Sequence, residues 1–285
     1  APISLVFFVI VFRNHTKFTQ NMYHSIHSEF IETPLMNLLE EGVNACCSLS
    51  NGVQLEPLKE YFLSSLFLRM TGAQEQKLKC LCWELATHDY EFRYEWLQGK
   101  SDKYKFGEMS RKEDKQKLYS VVKKKLLSTA TSNNNKGASQ SNTYSSHNSI
   151  KEISGRVKAC LRKSPVLATW LQQEIDYCSD DVLFPASSQG STNGNANACN
   201  YNDPNVLMGG AIGNDYKEVV YRHRNRCAHN LLSYQINLPD LDELKDKDYL
   251  RCNYVYRFII LIVIDEVFIK LYKDYKKTIG GRLVF

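Results

Sequence analysis

The chain has 285 residues, of which 43% are hydrophobic and 24% charged, a composition that excludes a disordered chain and fits a globular protein with a buried core. Glycine and proline are scarce, at 14 and 7 residues, so collagen-like and Gly/Pro-rich architectures are excluded. The formal net charge of +5 permits a nucleic-acid partner but does not establish one.

An apolar run over residues 3–12 (ISLVFFVIVF) stands near the start of the chain. It has about half the ~20 residues that are needed to span a bilayer, and it lacks the basic flank of a secretory signal. A second apolar run, 258–264, is also too short to span. We therefore expect no membrane association, and residues 3–12 are expected to form a short buried strand or a first core helix.

The nine cysteines contain no C-x-x-C pair, which argues against a zinc ribbon or a thioredoxin-type motif. We interpret them as reduced cysteines that serve as small apolar residues. This usage predicts a cytoplasmic protein. No metal site and no other cofactor are expected.

From residue 18 onwards, apolar residues recur at helical spacing. The helices are predicted over 18–47 with a break at Pro34, 53–70, 73–97, 111–130 after the N-cap Ser110, 150–163, 166–178 after a break at Ser164-Pro165, 215–234 capped by Asn214, and 248–277. The section 258–264 is apolar on every side and should be buried all round, in the core or in a subunit interface. The predicted class is an all-α helical bundle. Whether one short N-terminal strand is added to it stays open in the sequence.

Two polar segments divide the chain, 131–149 and 187–205. Neither can bury enough apolar surface to offset the entropy of ordering it. We therefore predict an N-terminal helical region 1–130 of unknown role, a linker or loop over 131–149, and a helical region 150–285 with a flexible loop at 187–205.

A basic block runs from Lys100 to Lys125, with ten Lys or Arg against four Asp or Glu. Lys123, Lys124 and Lys125 at its end are candidates for binding RNA phosphates. The aromatic residues available to stack on bases are Tyr104, Phe106 and Tyr119. A solvated surface without a ligand explains the same block equally well.

The most informative stretch is 221–230, which has the sequence YRHRNRCAHN. Arg224 is followed by Asn225. His229 lies five residues after Arg224 and directly follows an alanine. This pattern resembles the signature of the HEPN superfamily, in which an arginine is followed four to six residues later by a histidine. The resemblance covers at most roughly residues 150–285.

The resemblance implies a HEPN-type bundle, extended here by N-terminal helices, and a metal-independent endoribonuclease that acts as a homodimer on RNA. His229 would move protons, Arg224 would stabilise the charged phosphorane, and Asn225 would orient either of them. Arg222 and Arg226 are expected to support RNA binding. Such proteins often serve as toxins or as effectors of defence against phage, which implies a cognate antitoxin or regulatory protein.

The alternative function is a non-catalytic HEPN-like module that binds a nucleotide, a nucleic acid or a partner protein. A third hypothesis is a helical subunit of a larger complex.

Helix geometry leaves the identity of the motif arginine open. At about 100° per residue, Arg222, Asn225 and Arg226 lie within about 60° of His229. Val220, Cys227 and Leu231 lie on the opposite, buried face, and Arg224 lies on the flank of that face. The family pattern thus favours Arg224, whereas ideal geometry favours Arg222 or Arg226. A kink or a helix start at the motif would relieve the conflict.

Overall fold

The computed structural model describes residues 26–49, 56–97, 109–132, 147–178, 213, 215–229 and 252–282. In chain order its helices are α1 (Ile26–Glu32), α2 (Leu35–Cys46), α3 (Glu56–His88), α4 (Tyr90–Leu97), α5 (Lys112–Ser132), α6 (His147–Leu161), α7 (Pro165–Trp170), α8 (Gln172–Tyr177), a π-helical turn (Tyr216–Tyr221), α9 (Arg222–His229) and α10 (Tyr254–Arg282). No strand occurs in these ranges, which confirms the predicted all-α bundle. The predicted strand or helix at 3–12 and the loop at 187–205 lie outside the described residues.

Proline sets two of the helix boundaries, as predicted. Pro34 separates α1 from α2, because its ring cannot continue the first helix. Ser164 and Pro165 separate α6 from α7. Ser164 is the N-cap of α7, and its hydroxyl oxygen accepts a hydrogen bond from the Leu167 backbone N–H at 3.4 Å.

The helix α3 is longer than expected. The prediction of separate helices over 53–70 and 73–97 is wrong, since α3 continues through residues 71 and 72. The Thr71 hydroxyl donates to the Leu68 carbonyl at 3.0 Å, and a glycine inside a helix costs only about 1 kcal/mol. The break falls at Asp89, whose carboxylate accepts the Phe92 N–H at 2.9 Å as the cap of α4.

The last helix, α10, lies at the centre of the bundle. Each residue of its section Phe258–Ile264 is at most 1% exposed, which confirms the prediction that this section is buried all round. It packs against α1, α2, α3, α5, α6 and α8. Even so, no helix in the described part of the chain is long and apolar enough to cross a membrane.

Helices from both sides of the predicted linker share this core. One continuous cluster of buried apolar side chains runs from Ile31 in α1 to Tyr275 in α10. The ends of the segment 131–149 are themselves helical, because α5 extends to Ser132 and α6 begins at His147. Residues 133–146 lie outside the described ranges.

A buried ion pair joins three of these helices. Lys77 of α3 donates to the Asp265 carboxylate of α10 at 2.7 Å, and both side chains are almost inaccessible. The second oxygen of Asp265 accepts the Leu35 backbone N–H at 2.8 Å, in the first turn of α2. Burial raises the pKa of Asp265 and lowers that of Lys77, and each partner opposes the shift of the other. Close pairing is what allows the two charges to remain in the core.

We expect Asp265→Asn to reduce the free energy of unfolding by about 3–5 kcal/mol, because it leaves the Lys77 charge buried without its partner. Urea denaturation at neutral pH measures the loss. The double variant Lys77→Met/Asp265→Asn should recover much of it, since it removes the unpaired charge and keeps an oxygen that can accept from Leu35.

The matched control is an exposed ion pair, Arg69 with Glu41, whose atoms lie 2.8 Å apart. Glu41→Gln should change the unfolding free energy by less than about 1 kcal/mol. Equal losses for Asp265→Asn and Glu41→Gln would show that burial does not govern the contribution of the Asp265 pair.

Candidate functional site

The motif begins at an irregular point of its helix. A π-helical turn over Tyr216–Tyr221 leads directly into α9, which carries Arg222 to His229. Such turns hold one residue more than an α-helical turn and often occur at functional sites. The turn ends at Tyr221, before the three arginines, so their angles relative to residue 229 are those of a regular α-helix and the conflict over the motif arginine remains. The predicted cap Asn214 and residues 230–234 lie outside the described residues.

The buried face of the motif helix is the predicted one. Val220 and Cys227 are buried, whereas Arg222 and Ala228 are exposed. Leu231 is not among the described residues. The helix packs by this face against α3.

Arg224 lies on the flank of the buried face, as the helical geometry predicts, and it is fixed by two contacts. One terminal nitrogen donates to the Asn225 side-chain oxygen at 3.2 Å, and the other donates to Glu75 of α3 at 3.4 Å. The other oxygen of Glu75 accepts from Lys79 at 2.8 Å. The Arg224 side chain remains 30% exposed. A single carboxylate therefore holds two cations beside the motif, one of which is the motif arginine.

A third cation lies in the same area. Lys115 of α5 is fully buried, and its ammonium donates to the carbonyl oxygens of Met109 and Ser110, at 2.5 and 3.3 Å. It also lies 4.5 Å from the centre of the Tyr216 ring, a cation–π distance. The sequence placed Lys115 in a basic block that was interpreted either as an RNA-binding surface or as a solvated one, so this burial is a correction. The charge pattern of α5 does not reveal that Lys115 faces the Tyr216 ring and the carbonyl groups of Met109 and Ser110.

Burial lowers the pKa of Lys115 to about 7. The carboxylates of Glu75 and Asp114 oppose this shift, and the charge of Arg224 adds to it. The Tyr216 hydroxyl donates to the Ser110 carbonyl at 2.9 Å, so the first turn of the motif segment is anchored at the same place. Lys115 thus brings a charge that titrates near neutral pH close to Arg224.

The other two arginines of the motif point to different surroundings. Arg222 is exposed and pairs with Glu218 one turn earlier, at 2.6 Å. Arg226 is partly buried, and its Nε finds no hydrogen-bond partner among the described residues. The backbone of His229 ends α9, but its side chain lies outside the described part of the structure. Of the predicted catalytic residues, Arg224 and Asn225 are therefore in direct contact, and the position of the His229 imidazole stays a prediction.

A neighbouring histidine, His223, belongs to the core. Its Nε2 lies 3.2 Å from the Tyr254 hydroxyl and 3.4 Å from the Cys227 sulfur, and its ring packs 5.1 Å from that of Phe67. The Tyr254 hydroxyl donates to Glu60 at 2.6 Å. Burial lowers the pKa of His223 to about 2, with smaller contributions from two nearby arginines. His223 is therefore a neutral structural residue at working pH.

The predicted RNA-binding lysines differ in their accessibility. Lys125 is held by Asp89 at 2.6 Å and by Glu91 at 3.4 Å, whereas Lys124 is exposed and Lys123 partly so. Tyr119, a predicted stacking residue, is buried in the core, so that prediction is wrong. Tyr104 and Phe106 lie outside the described residues.

The described cysteines are free, and burial raises the pKa of Cys46, Cys160 and Cys178 to about 11. These thiols pack as small apolar groups. The part of the chain that the structure describes contains no group of three or more His, Cys, Asp or Glu side chains that could hold a metal ion.

No protein-family model, curated protein or solved structure shows significant similarity to this chain. The functional hypothesis therefore rests on the motif residues themselves and on their surroundings in the bundle.

The low pKa of His223 predicts a pH dependence of stability. The unfolded chain binds a proton at this residue below about pH 6.5 and the folded chain does not, so stability falls as the pH is lowered. Between pH 7.5 and 5.5 the loss due to His223 should be about 1.4 kcal/mol. The variant His223→Phe keeps a ring in the same place and should lose that much less over the same range.

Urea denaturation of both proteins at the two pH values provides the measurement. The difference between them isolates residue 223, because all other titrating groups are shared. If wild type and His223→Phe lose equal stability, the imidazole is not buried in its neutral form.

Proposed function

We propose that this chain is a cytoplasmic, metal-independent endoribonuclease of HEPN type. The observation that carries the proposal is the environment of Arg224. This residue belongs to an Arg-Asn-x-x-Ala-His motif on a helix of an all-α bundle, and its guanidinium is fixed by Asn225 and Glu75 while it stays partly exposed. A preorganised cation next to a histidine-bearing segment is what phosphoryl chemistry on RNA requires.

The reaction uses a nucleophile that RNA itself provides. The 2′-hydroxyl attacks the adjacent phosphorus while a general base takes its proton. The bond from phosphorus to the 5′-oxygen then breaks, and that oxygen receives a proton. The products are a 2′,3′-cyclic phosphate and a 5′-hydroxyl. We assign the proton transfers to His229, because imidazole is the side chain that exchanges protons near neutral pH.

Arg224 is assigned to the phosphorane. Its contacts with Asn225 and Glu75 use two of the five N–H donors of a guanidinium, so other donors can bind phosphate oxygens. Asn225 keeps the guanidinium in place. The neighbouring charge on Lys115 adds to the positive potential below its pKa of about 7.

The proposal includes the partners that the resemblance to HEPN proteins implies. We expect a homodimer in which the motifs of two protomers face a shared RNA cleft. Nucleases of this type often serve as toxins or as effectors of defence against phage, which implies a cognate antitoxin or regulatory protein.

One observation favours the alternative, a non-catalytic HEPN-like module that binds a nucleotide, a nucleic acid or a partner protein. Glu75 already neutralises part of the Arg224 charge at 3.4 Å, and a neutralised guanidinium stabilises a developing negative charge less strongly. In such a module the motif arginine would have a structural role.

We expect His229→Ala to lower RNA cleavage by at least about 100-fold, because general acid–base catalysis contributes about that much or more. The measurement is cleavage of total RNA in the presence of a chelator, with the 2′,3′-cyclic phosphate ends quantified. His27→Ala is the control, since His27 lies in α1, outside the motif, and is partly exposed.

Equal cleavage by wild type and His229→Ala would contradict the proposal, and so would cleavage that stops when the chelator is added. Absence of cleavage by the wild type, with RNA binding retained, would favour the binding module.

The same assay decides between Arg224 and Arg222 as the motif arginine. Arg224→Ala should cause a loss close to that of His229→Ala. Arg222→Ala should cause a smaller one, because Arg222 is exposed and pairs with Glu218. The reverse order of effects would assign Arg222 as the motif arginine.

A further inference from the structure

The π-helical turn over Tyr216–Tyr221 is bound from outside its own helix. Arg257 of α10 donates from Nε to the backbone carbonyl of Val219, in the middle of the turn, at 3.2 Å. One residue earlier in α10, the Tyr256 hydroxyl donates to the carboxylate of Asp215, directly before the turn. Two adjacent residues of α10 thus bind the start and the middle of the turn.

The turn lies at a transition between two helix types. The Arg222 N–H donates to the Lys217 carbonyl, five residues back, so π geometry continues up to the first residue of α9. A regular α-helix would pair residues that are four apart. Because π-helix is rare and occurs mostly as single turns, contacts from neighbouring helices can decide which of the two geometries this segment adopts.

Arg257 is a costly residue at its position in the core. It is 4% exposed, and a buried charge requires hydrogen bonds to remain there. Its guanidinium lies 5.2 Å from the centre of the Tyr254 ring, a cation–π distance. An apolar side chain would fill the same place at lower cost. The bond to Val219 is what distinguishes an arginine from such a side chain here.

The start of α10 is itself fixed, which gives Arg257 a defined position. Asn253 caps the helix, since its side-chain oxygen accepts the Tyr256 N–H at 2.7 Å. The carboxylate of Glu174 in α8 accepts the Tyr254 N–H at 2.9 Å. The guanidinium therefore reaches the π-helical turn from a fixed point of the bundle.

We propose that Arg257 is a positioning residue for the motif. Its bond to Val219 stabilises the π-helical turn, which keeps Arg224 directed at Glu75. Without this bond the segment becomes α-helical at its present length. Six residues of α-helix rotate the chain by about 100° more than the π-helical turn does, so each residue of α9 then takes the angle of the residue that follows it. The consequence for RNA cleavage rests on the proposed function, whereas the orientation of α9 does not.

Cys227 reports this rotation independently of any activity. Its side chain is buried, at 8% exposure, whereas the following residue, Ala228, is exposed. Rotation by one residue moves the Cys227 thiol to the exposed angle of Ala228. The rate at which N-ethylmaleimide labels Cys227, read by peptide mass spectrometry, therefore measures the population of the rotated helix.

The test combines a substitution with a deletion. Arg257→Met removes the donor and keeps an unbranched side chain. A hydrogen bond from a charged donor shifts an equilibrium by about 10- to 150-fold, so labelling of Cys227 should become faster by that factor. Deletion of the exposed Lys217 shortens the turn to five residues and allows α-helix with the wild-type orientation of α9. In this shortened chain, Arg257→Met should leave the labelling rate unchanged.

Tyr272→Phe is the matched control. Tyr272 lies on the same helix, is 1% exposed, and has its hydroxyl 2.6 Å from that of Ser28. The variant removes one buried hydrogen bond of α10, about 22 Å along the axis from Arg257. It should leave Cys227 labelling at the wild-type rate.

Each outcome decides for or against the inference. Unchanged labelling in Arg257→Met would overturn it. Fast labelling that persists when Lys217 is also deleted would overturn it too, because Arg257 would then stabilise the core and not the type of turn. If Arg257→Met does not fold, circular dichroism of the shortened double variant decides. A folded double variant with protected Cys227 supports the inference, and an unfolded one contradicts it.

RNA cleavage by the same variants separates this inference from the proposed nuclease activity. Cleavage should fall in Arg257→Met and return in the shortened double variant. If labelling follows the expected pattern but the wild type cuts no RNA, the positioning role stands and the nuclease proposal fails. If the wild type cuts RNA but labelling does not respond to Arg257→Met, the nuclease proposal stands and the positioning role fails.

Discussion

One buried carboxylate, Asp265, constrains most of the described bundle. It neutralises Lys77 of α3 and accepts the Leu35 N–H at the start of α2, while its own helix fills the centre of the core. These bonds fix α3 both along and around its axis relative to α10. Glu75 lies two residues before Lys77, about 200° around the same helix, so it faces the motif helix when Lys77 faces the core. The position of Arg224 is therefore coupled to a charge pair in the interior.

The candidate site concentrates cations against few carboxylates. Arg224 and Lys79 share Glu75, and the buried Lys115 adds a further charge that titrates near neutral pH. Burial strengthens these interactions, because less water is present to screen them. Such a site attracts a polyanion without a large net charge on the chain. The formal charge of +5 thus understates the positive potential around the motif, which depends on where the cations are held.

The sequence predicted the parts of the fold that depend on local patterns. The apolar section Phe258–Ile264, the breaks at Pro34 and Ser164, and the buried face of the motif helix follow from neighbouring residues alone. The uninterrupted α3 was missed because the packing of the whole helix outweighs the small cost of Gly72. The pairing of Arg224 with Glu75 spans 149 positions, and no spacing rule connects residues so far apart. The burial of Lys115 and Tyr119 was missed for the same reason, since it depends on α10 and on the π-helical turn.

The π-helical turn over Tyr216–Tyr221 has a consequence for how this chain can vary. Because the turn contains an extra residue, it sets the rotation of everything that follows in α9 relative to the anchored Tyr216. The six residues of the turn rotate the chain about as far as five residues of α-helix, because a π-helical turn holds one residue more. Removing one residue from the turn would therefore permit regular α-helix and keep Arg224 directed at Glu75. Substitutions that convert the turn to α-helix at its present length would instead rotate Arg224 by about 100°, away from Glu75. The number of residues between Tyr216 and Arg224 is therefore coupled to the helix type of this turn.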